Sequence, residues 1–358
     1  MDSLTQIVLG SAVGVLVMGR SQSVAKSAFW GGVCGTLPDL DAFIDHGDPI
    51  LNMVRHRAET HALAFQSMAA PIVATGITLL DRNLSQWPRW LLMVWLVLIT
   101  HAGLDAMTVY GTRLLLPHSD FPFGVGSIFI IDPLYTLPLL FGLVLTLGSG
   151  GNRIYSTRRR TPGGAWVTNR LGFNLAGIVL SSVYLAWSWF AQGEVKKIAL
   201  ASPQAQSVSA DRILVTPTAF NTLLWRVVIM HDEHFDEGFF PVINRWLKSE
   251  STIDFDSFAR DKPLDDATVD FESANEIRKF SRGFYRVSSK KDSIRITDLR
   301  MGQEPYYVFS FEFARQSVGG ITPLEPTAVG NRDDVQILPY LKWVWSGMWG
   351  EVKKPTRP

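Results

Sequence analysis

The chain has 358 residues, is 47% hydrophobic and 19% charged, and carries a formal net charge of +1. Near-neutrality, with no basic stripe interleaved with aromatic residues, excludes nucleic-acid binding. Cys34 is the one cysteine, which excludes an internal disulfide and a thiolate zinc site.

In chain order, the opening MDSLTQIVLGSAVGVLVMGR has an acid where a signal peptide carries bases, and no small-x-small cleavage site follows. Residues 4–18 therefore read as a retained membrane segment. A second apolar run, 27–37, ends at Pro38 and the polar cluster Asp39, Asp41, Asp45, His46 and Asp48. Both runs are short against the roughly 20 residues of a full span, so they read as two crossings or as one re-entrant hairpin. A polar segment with His56, Arg57, Glu59, Thr60 and His61 leads into residues 62–80, which are long enough to span. Residues 90–109, 127–148 and 171–191 complete the apolar set. Beyond them, RILVTP, LLWRVVIM, FYRVSS, SIRITDL and YYVFSFEFA are rich in β-branched and aromatic residues and are separated by turn formers. One helix is expected near 271–281. Trp343, Trp345 and Trp349 either pack beneath this region or rest on the bilayer interface. The expected architecture is an α-helical membrane domain over residues 1–192, with about six hydrophobic segments, two of them short. A β-rich soluble domain over 193–358 follows.

Lys and Arg set the expected orientation. Arg20 and Lys26, then Arg82 and Arg89, then Arg153, Arg158, Arg159, Arg160 and Arg170 fall in alternate loops. The opposite side has only Arg55, Arg57 and Arg113 near the membrane. The basic loops belong in the cytoplasm, which puts the C-terminal domain on the periplasmic side of a bacterial inner membrane, after several passes. That topology gathers Thr5, Gln6, Asp39, Asp41, His56, His61, His101, Asp105, His118, Asp120 and Asp132 at the outer ends of the segments. The inner loops hold no histidine and one acid, Asp81.

The most informative stretch is LITHAGLDAMTVYGT, where His101 and Asp105 lie one helical turn apart on a common face. A carboxylate in a membrane segment costs roughly 2.5–3.5 kcal/mol on insertion scales, so it calls for a reason. Imidazole and carboxylate without thiolate suit zinc, manganese or iron, and the number of acids allows one ion or two. Each piece also has a plainer reading. His101 and Asp105 can also serve as a buried hydrogen bond joining helices. His56 and His61 do not share a helix face, so one must precede the helix or the segment must bend. Asp39 and Asp41 suit an ordinary turn, and His118 and Asp120 a loop. Asp132 before Pro133 suits a helix N-cap. His231 and His234, in IMHDEHFDE, read as an exposed turn. The case for a site rests on co-location.

These blocks resemble the YdjM-like family of inner-membrane proteins, described as membrane-bound metal-dependent hydrolases. The resemblance runs over roughly residues 1–148 through MDSLTQ, LPDLDAF, HRAETHAL, HAGLDAMTVYGTRLLLPHSD and IIDPLYTLPLL. It continues through NTLLWRVV, FSRGFYRV and ITDLRMGQEPYYVF. It implies a helical unit similar to the zinc phospholipase C and P1 nuclease group, which uses His and Asp ligands and cleaves phosphoesters. The ligands it implies are Asp39, Asp41, His56, His61, His101 and Asp105, with Asp120 and Asp132 as weaker members. One departure stands out, because the family's opening reads MDxxTH and this chain has Gln6 at the histidine position. Either that position supports a ligand, or one metal or the activity has changed.

The expectation is a membrane-bound hydrolase with a divalent metal, zinc first, as one or two ions. Its substrate is a phosphoester or a lipid-linked molecule, and membrane lipids are its partners. Arg57 or Arg113 would stabilise phosphate charge, and Asp120 or Glu59 would move protons. The alternative is a non-enzymatic membrane protein whose polar cluster packs helices or binds an ion and whose soluble domain binds a partner. A transporter fits less well, since the ionisable groups gather at one face and no repeat is evident.

Overall fold

The computed structural model describes residues 1–149, 164–329 and 336–350. The chain divides into two compact units. The first comprises Met1–Phe43, Arg57–Val125 and Ile130–Trp187, and the second Ile44–His56, Gly126–Phe129 and Ser188–Pro358.

Helices α1 (Ser3–Met18) and α2 (Val24–Thr36) form a hairpin in the first unit. Asp2 caps α1 by accepting from the Thr5 amide, and Ser23 caps α2 by accepting from the Lys26 amide. Gly10 and Gly14 of α1 face Gly31 and Gly35 of α2. A methyl group at Gly10 or Gly31 would collide with the other helix's backbone carbonyl. Small residues at four-residue spacing let two membrane helices approach this closely. After α3 (Pro49–Arg55), which belongs to the second unit, come α4 (Leu63–Asp81), α5 (Trp87–Met107), α6 (Pro133–Gly148) and α7 (Gly164–Ala201). Helix α7 runs from the first unit into the second. Short 3-10 turns occupy Pro38–Phe43 and Glu59–His61.

By length and composition, Leu63–Asp81, Leu84–Met107 and Leu171–Ala201 suffice to cross a membrane, and Ser3–Met18 and Pro133–Gly148 are shorter apolar helices. The α5 span is 56% buried, against 28% for α4 and 22% for α7, so α5 is the central helix. Ile72 and Leu80 of α4, Phe141 of α6 and Leu180 of α7 are exposed, as expected where hydrocarbon is the solvent. Asp81, at the end of α4, pairs with Lys26 and accepts from Gln22 at 3.2 Å.

Helix lengths correct the hydropathy reading in two places. The segment expected over 127–148 becomes helical only at Pro133, where Asp132 caps it by accepting from the Leu134 amide. Its 16 residues cover about 24 Å, short of the roughly 30 Å hydrocarbon core. The segment expected to end at 191 continues to Ala201, so position 192 lies inside α7. Arg153, Arg158, Arg159 and Arg160 lie outside the described residues.

The second unit is β-rich. Strands β1 (Ile213–Pro217), β2 (Leu224–Met230), β3 (His234–Pro241) and β4 (Phe255–Ala259) form an antiparallel sheet in sequence order, with α8 (Val242–Leu247) after β3. Helices α9 (Lys262–Ala267) and α10 (Glu272–Phe280) follow, the latter where a helix was expected. A second antiparallel sheet has the order β10 (Gly320–Ala328), β9 (Ser310–Ser317), β6 (Ser293–Asp298), β5 (Tyr285–Lys290). A small ribbon pairs β7 (Gly302–Gln303) with β8 (Tyr306–Tyr307). Strand β2 is buried at every position, which is why LLWRVVIM reads as an apolar run rather than an alternation. The core gathers Val228, Met230, Phe235, Phe284, Leu299 and Tyr307. Helix α11 (Ile337–Met348) packs Val344 and Met348 on Leu224. The tryptophans divide: Trp343 meets Phe239 edge-on at 4.9 Å, while Trp345 and Trp349 are exposed.

Candidate metal centre

Four side chains of the first unit converge: Asp39, His61, His101 and Asp105. Three elements deliver them. Asp39 lies in the 3-10 turn that follows α2, and His61 ends the turn that precedes α4. His101 and Asp105 come from one face of the central helix, as their spacing requires. His61 can reach the pair because the chain bends before α4: Arg57 has φ +65° and Asp41 clamps the bend.

The geometry is that of a small polyhedron of acceptors. His61 Nε2 lies 3.1 Å from His101 Nε2 and 3.1 Å from Asp105 Oδ2. His101 Nε2 lies 3.4 Å from Asp105 Oδ2, and Asp39 Oδ1 lies 3.5 Å from both ring nitrogens. A tetrahedral ion with ligands at roughly 2.0–2.1 Å has ligand-to-ligand edges of about 3.3–3.4 Å, which these five distances bracket. Asp39 Oδ1 and Asp105 Oδ2 are buried, and neither receives a hydrogen bond. Buried carboxylate oxygens that receive no hydrogen bond are costly unless a cation faces them; Arg57 Nε stands 3.3 Å from Asp105 Oδ2, and an ion held by the cluster would face both oxygens.

The outer atoms of these four side chains are engaged. His101 Nδ1 donates to the Gly35 carbonyl at 2.8 Å, which leaves Nε2 to face inward. Thr60 Oγ1 donates to Asp41 Oδ2 at 2.6 Å and so accepts from His61 Nδ1 at 2.9 Å, which turns His61 Nε2 inward as well. Asp105 Oδ1 ion-pairs with the Met1 amino group and accepts from Gln6 Nε2 at 3.0 Å. Gln6 also reaches the His101 carbonyl at 3.3 Å. Its amide therefore holds Asp105 in place. Arg57 Nε is 3.3 Å from Asp105 Oδ2, Nη1 donates to Thr108 Oγ1 at 3.4 Å, and the guanidinium lies 4.9 Å from the Tyr110 ring centre.

Without a metal, protons take the cation's place. Burial would lower the His61 pKa, but Asp105, Asp39 and Asp41 outweigh it and raise it to about 9. Burial would likewise raise the Asp39 pKa, but the facing His101 and His61 hold it below the usual carboxylate range. The donor set therefore suits a divalent ion that exchanges with bound protons.

The remaining expected ligands lie elsewhere. Asp41 Oδ2 accepts from the Arg57 amide at 2.9 Å and from Thr60, so it shapes the turn that carries His61. Asp132 caps α6 and accepts from the Tyr184 hydroxyl at 2.9 Å. His56 caps α3 in the second unit and is not in the cluster. Glu59, His118 and Asp120 are exposed and also outside it, so Arg57 alone of the proposed catalytic groups touches the cluster. Gly35 and Thr60, which orient the two imidazoles, were not visible as functional residues. Their signals were the glycine spacing of α2 and adjacency to His61.

A second group, His231, His234 and Asp236, occurs in the second unit. Its imidazole rings stack 4.2 Å apart at an interplanar angle of 11°. Each ring's lone pair lies in its own plane, so two nearly parallel planes at that separation do not share an ion. Asp236 instead pairs with His231 at 3.1 Å and accepts from Ser257.

The family model for YdjM inner membrane protein matches residues 1–195, which includes the whole cluster. No curated protein and no solved structure matches the chain.

Proposed function

The chain belongs to the YdjM inner membrane protein family, and on that premise we propose that it is a metal-dependent hydrolase acting on a lipid or lipid-linked phosphoester. The observation that carries this reading is the convergence of Asp39, His61, His101 and Asp105, with two buried carboxylate oxygens that receive no hydrogen bond. Zinc fits the nitrogen and oxygen donors and the edge lengths. When bound, it supplies a Lewis acid that polarises an ester oxygen and activates water near neutral pH.

This chain's own residues do the rest. Thr60 and Gly35 hold the imidazoles in the ligating tautomer. Arg57 offers its guanidinium to a substrate phosphate at the edge of the cluster. Asp39 is 19% exposed while the other three ligands are buried, so substrate arrives from its side. Proton exchange with bulk water is assigned to Glu59, exposed on the same turn as His61. Asp120, exposed in the loop after α5, is its less direct alternative. The distribution of Lys and Arg supports a multi-pass topology with the soluble region on the periplasmic side. Reporter fusions after Ala165 and after Ser207 are expected to report opposite sides, and the same side for both overturns that orientation.

One observation favours a second reading. Four protein donors saturate a tetrahedral ion, as in structural zinc sites, whereas catalytic sites keep one position open. On that reading the ion clamps the α1–α2 hairpin to α5 and nothing is hydrolysed. Purified protein and the His101→Ala, Asp105→Ala double variant are analysed for metal. The protein is also incubated with phospholipid vesicles, with and without chelator. Chelator-sensitive release of a phosphorylated headgroup supports the hydrolase. Bound metal with no release, and lower thermal stability on chelation, supports the clamp. Equal, negligible metal in both proteins sinks both readings.

A further inference from the structure

A groove of about 500 Å³ lies between α2 and α6, wholly within the first unit. Ile7 and Ser11 of α1 form part of its lining, with Ala28, Gly32 and Thr36 from α2 and Leu143 from α6. The two hydroxyls do not make it polar. Ser11 Oγ donates to the Ala28 carbonyl at 2.9 Å and Thr36 Oγ1 to the Val33 carbonyl at 2.8 Å, so both are turned to backbone. What the groove presents is hydrocarbon.

Two features identify the occupant. The α2 stripe runs from Ala25 to Thr36, about 16 Å along the helix axis, close to the depth of one leaflet of a roughly 30 Å hydrocarbon core. Its Thr36 end meets the cluster: the adjacent Gly35 carbonyl receives His101 Nδ1, and Asp39, the most accessible ligand, follows three residues on. We propose that this groove takes one acyl chain of a phospholipid-type substrate whose phosphate head lies at the Asp39 side of the cluster. The proposal rests on the hydrolase reading and names its substrate class: a membrane lipid with an acyl chain of one leaflet's length, not a soluble phosphoester.

The test uses the full-length protein in vesicles containing phosphatidylethanolamine with a photoactivatable diazirine at the end of one acyl chain. Label is expected on the peptides carrying Ala25 and Leu147, at the end of the groove away from the cluster. Val33→Trp, which fills the groove, is expected to cut that label about tenfold. Phe29→Ala, which opens it at an exposed position, is expected to retain or raise the label. The same lipid with the diazirine on its headgroup is expected to label the Asp39–Phe43 segment. Equal labelling of wild type and Val33→Trp overturns the proposal, as does label spread evenly over α4 and α7. Headgroup label at the opposite end of the hairpin, near Ser21, overturns it too. Metal content is measured in the same samples. Lost label with metal retained in Val33→Trp assigns the effect to the groove. Metal absent throughout with labelling intact removes the hydrolase reading and the substrate assignment, and leaves a lipid-binding groove.

Discussion

Arg226 and Glu237 in the second unit are buried about as deeply as the histidine–aspartate cluster in the first, and both groups are ionic. They differ in donor count. Arg226 Nε donates to Glu237 Oε1 at 2.5 Å and Nη1 to the Leu299 carbonyl at 2.8 Å, while the Glu304 amide donates to Glu237 Oε2 at 3.2 Å. Every acceptor there meets a donor, which is how a buried ion pair serves structure. In the first unit two carboxylate oxygens point at two imidazole Nε2 atoms and receive no hydrogen bond. Burial and charge are common to both places. The balance of donors and acceptors separates the two places and makes the first-unit cluster the candidate for a cation.

That contrast can be broken by experiment. The largest expected effect is loss of metal: wild type is expected to carry about one zinc per chain and the His101→Ala, Asp105→Ala variant essentially none, measured by elemental analysis. Full occupancy in the variant would place the ion elsewhere. In the second unit, Glu237→Ala strands Arg226 and is expected to cost about 3–5 kcal/mol with metal content unchanged. The paired Arg226→Met, Glu237→Leu change should recover much of that in thermal unfolding. A loss as large in the pair as in the single variant would contradict a purely structural role.

A smaller effect comes with pH. The folded-state pKa of His61 is raised from 6.5 to about 9 in the metal-free protein. Its proton therefore stabilises the fold fully below about pH 6.5, and that contribution is lost as pH rises through about 9. Thermal stability of chelated protein should fall over this window, whereas zinc-loaded protein, with His61 already deprotonated, should hold steady. Parallel curves would show that zinc and the proton do not compete for His61. The smallest effect is outside the ligand set: Thr60→Val removes the acceptor of His61 Nδ1 and should weaken zinc binding about 10–100-fold without unfolding the protein. Unchanged affinity would make Thr60 a bystander.

The sequence by itself determined the helical first half and the β-rich second half, because apolar run length and strand alternation are local properties. It also determined that His101 and Asp105 share a face, since a four-residue spacing in a helix leaves no other outcome. LPDLDAF and HRAETHAL pointed to the two turns that bring Asp39 and His61 to the cluster, but composition could not choose among their acids and histidines. Tertiary structure made that choice. The turn at Arg57 and the clamp by Asp41 bring His61 inward, and Asp41 and Asp132 turn to backbone amides and hydroxyls. The close glycine contact of α1 and α2 sets Gly35 against His101 and Gln6 against Asp105. A ligand set depends on which lone pairs meet in space, and that is fixed by turns and helix packing between residues as distant as Met1 and Asp105, 104 positions apart, beyond the reach of any local pattern.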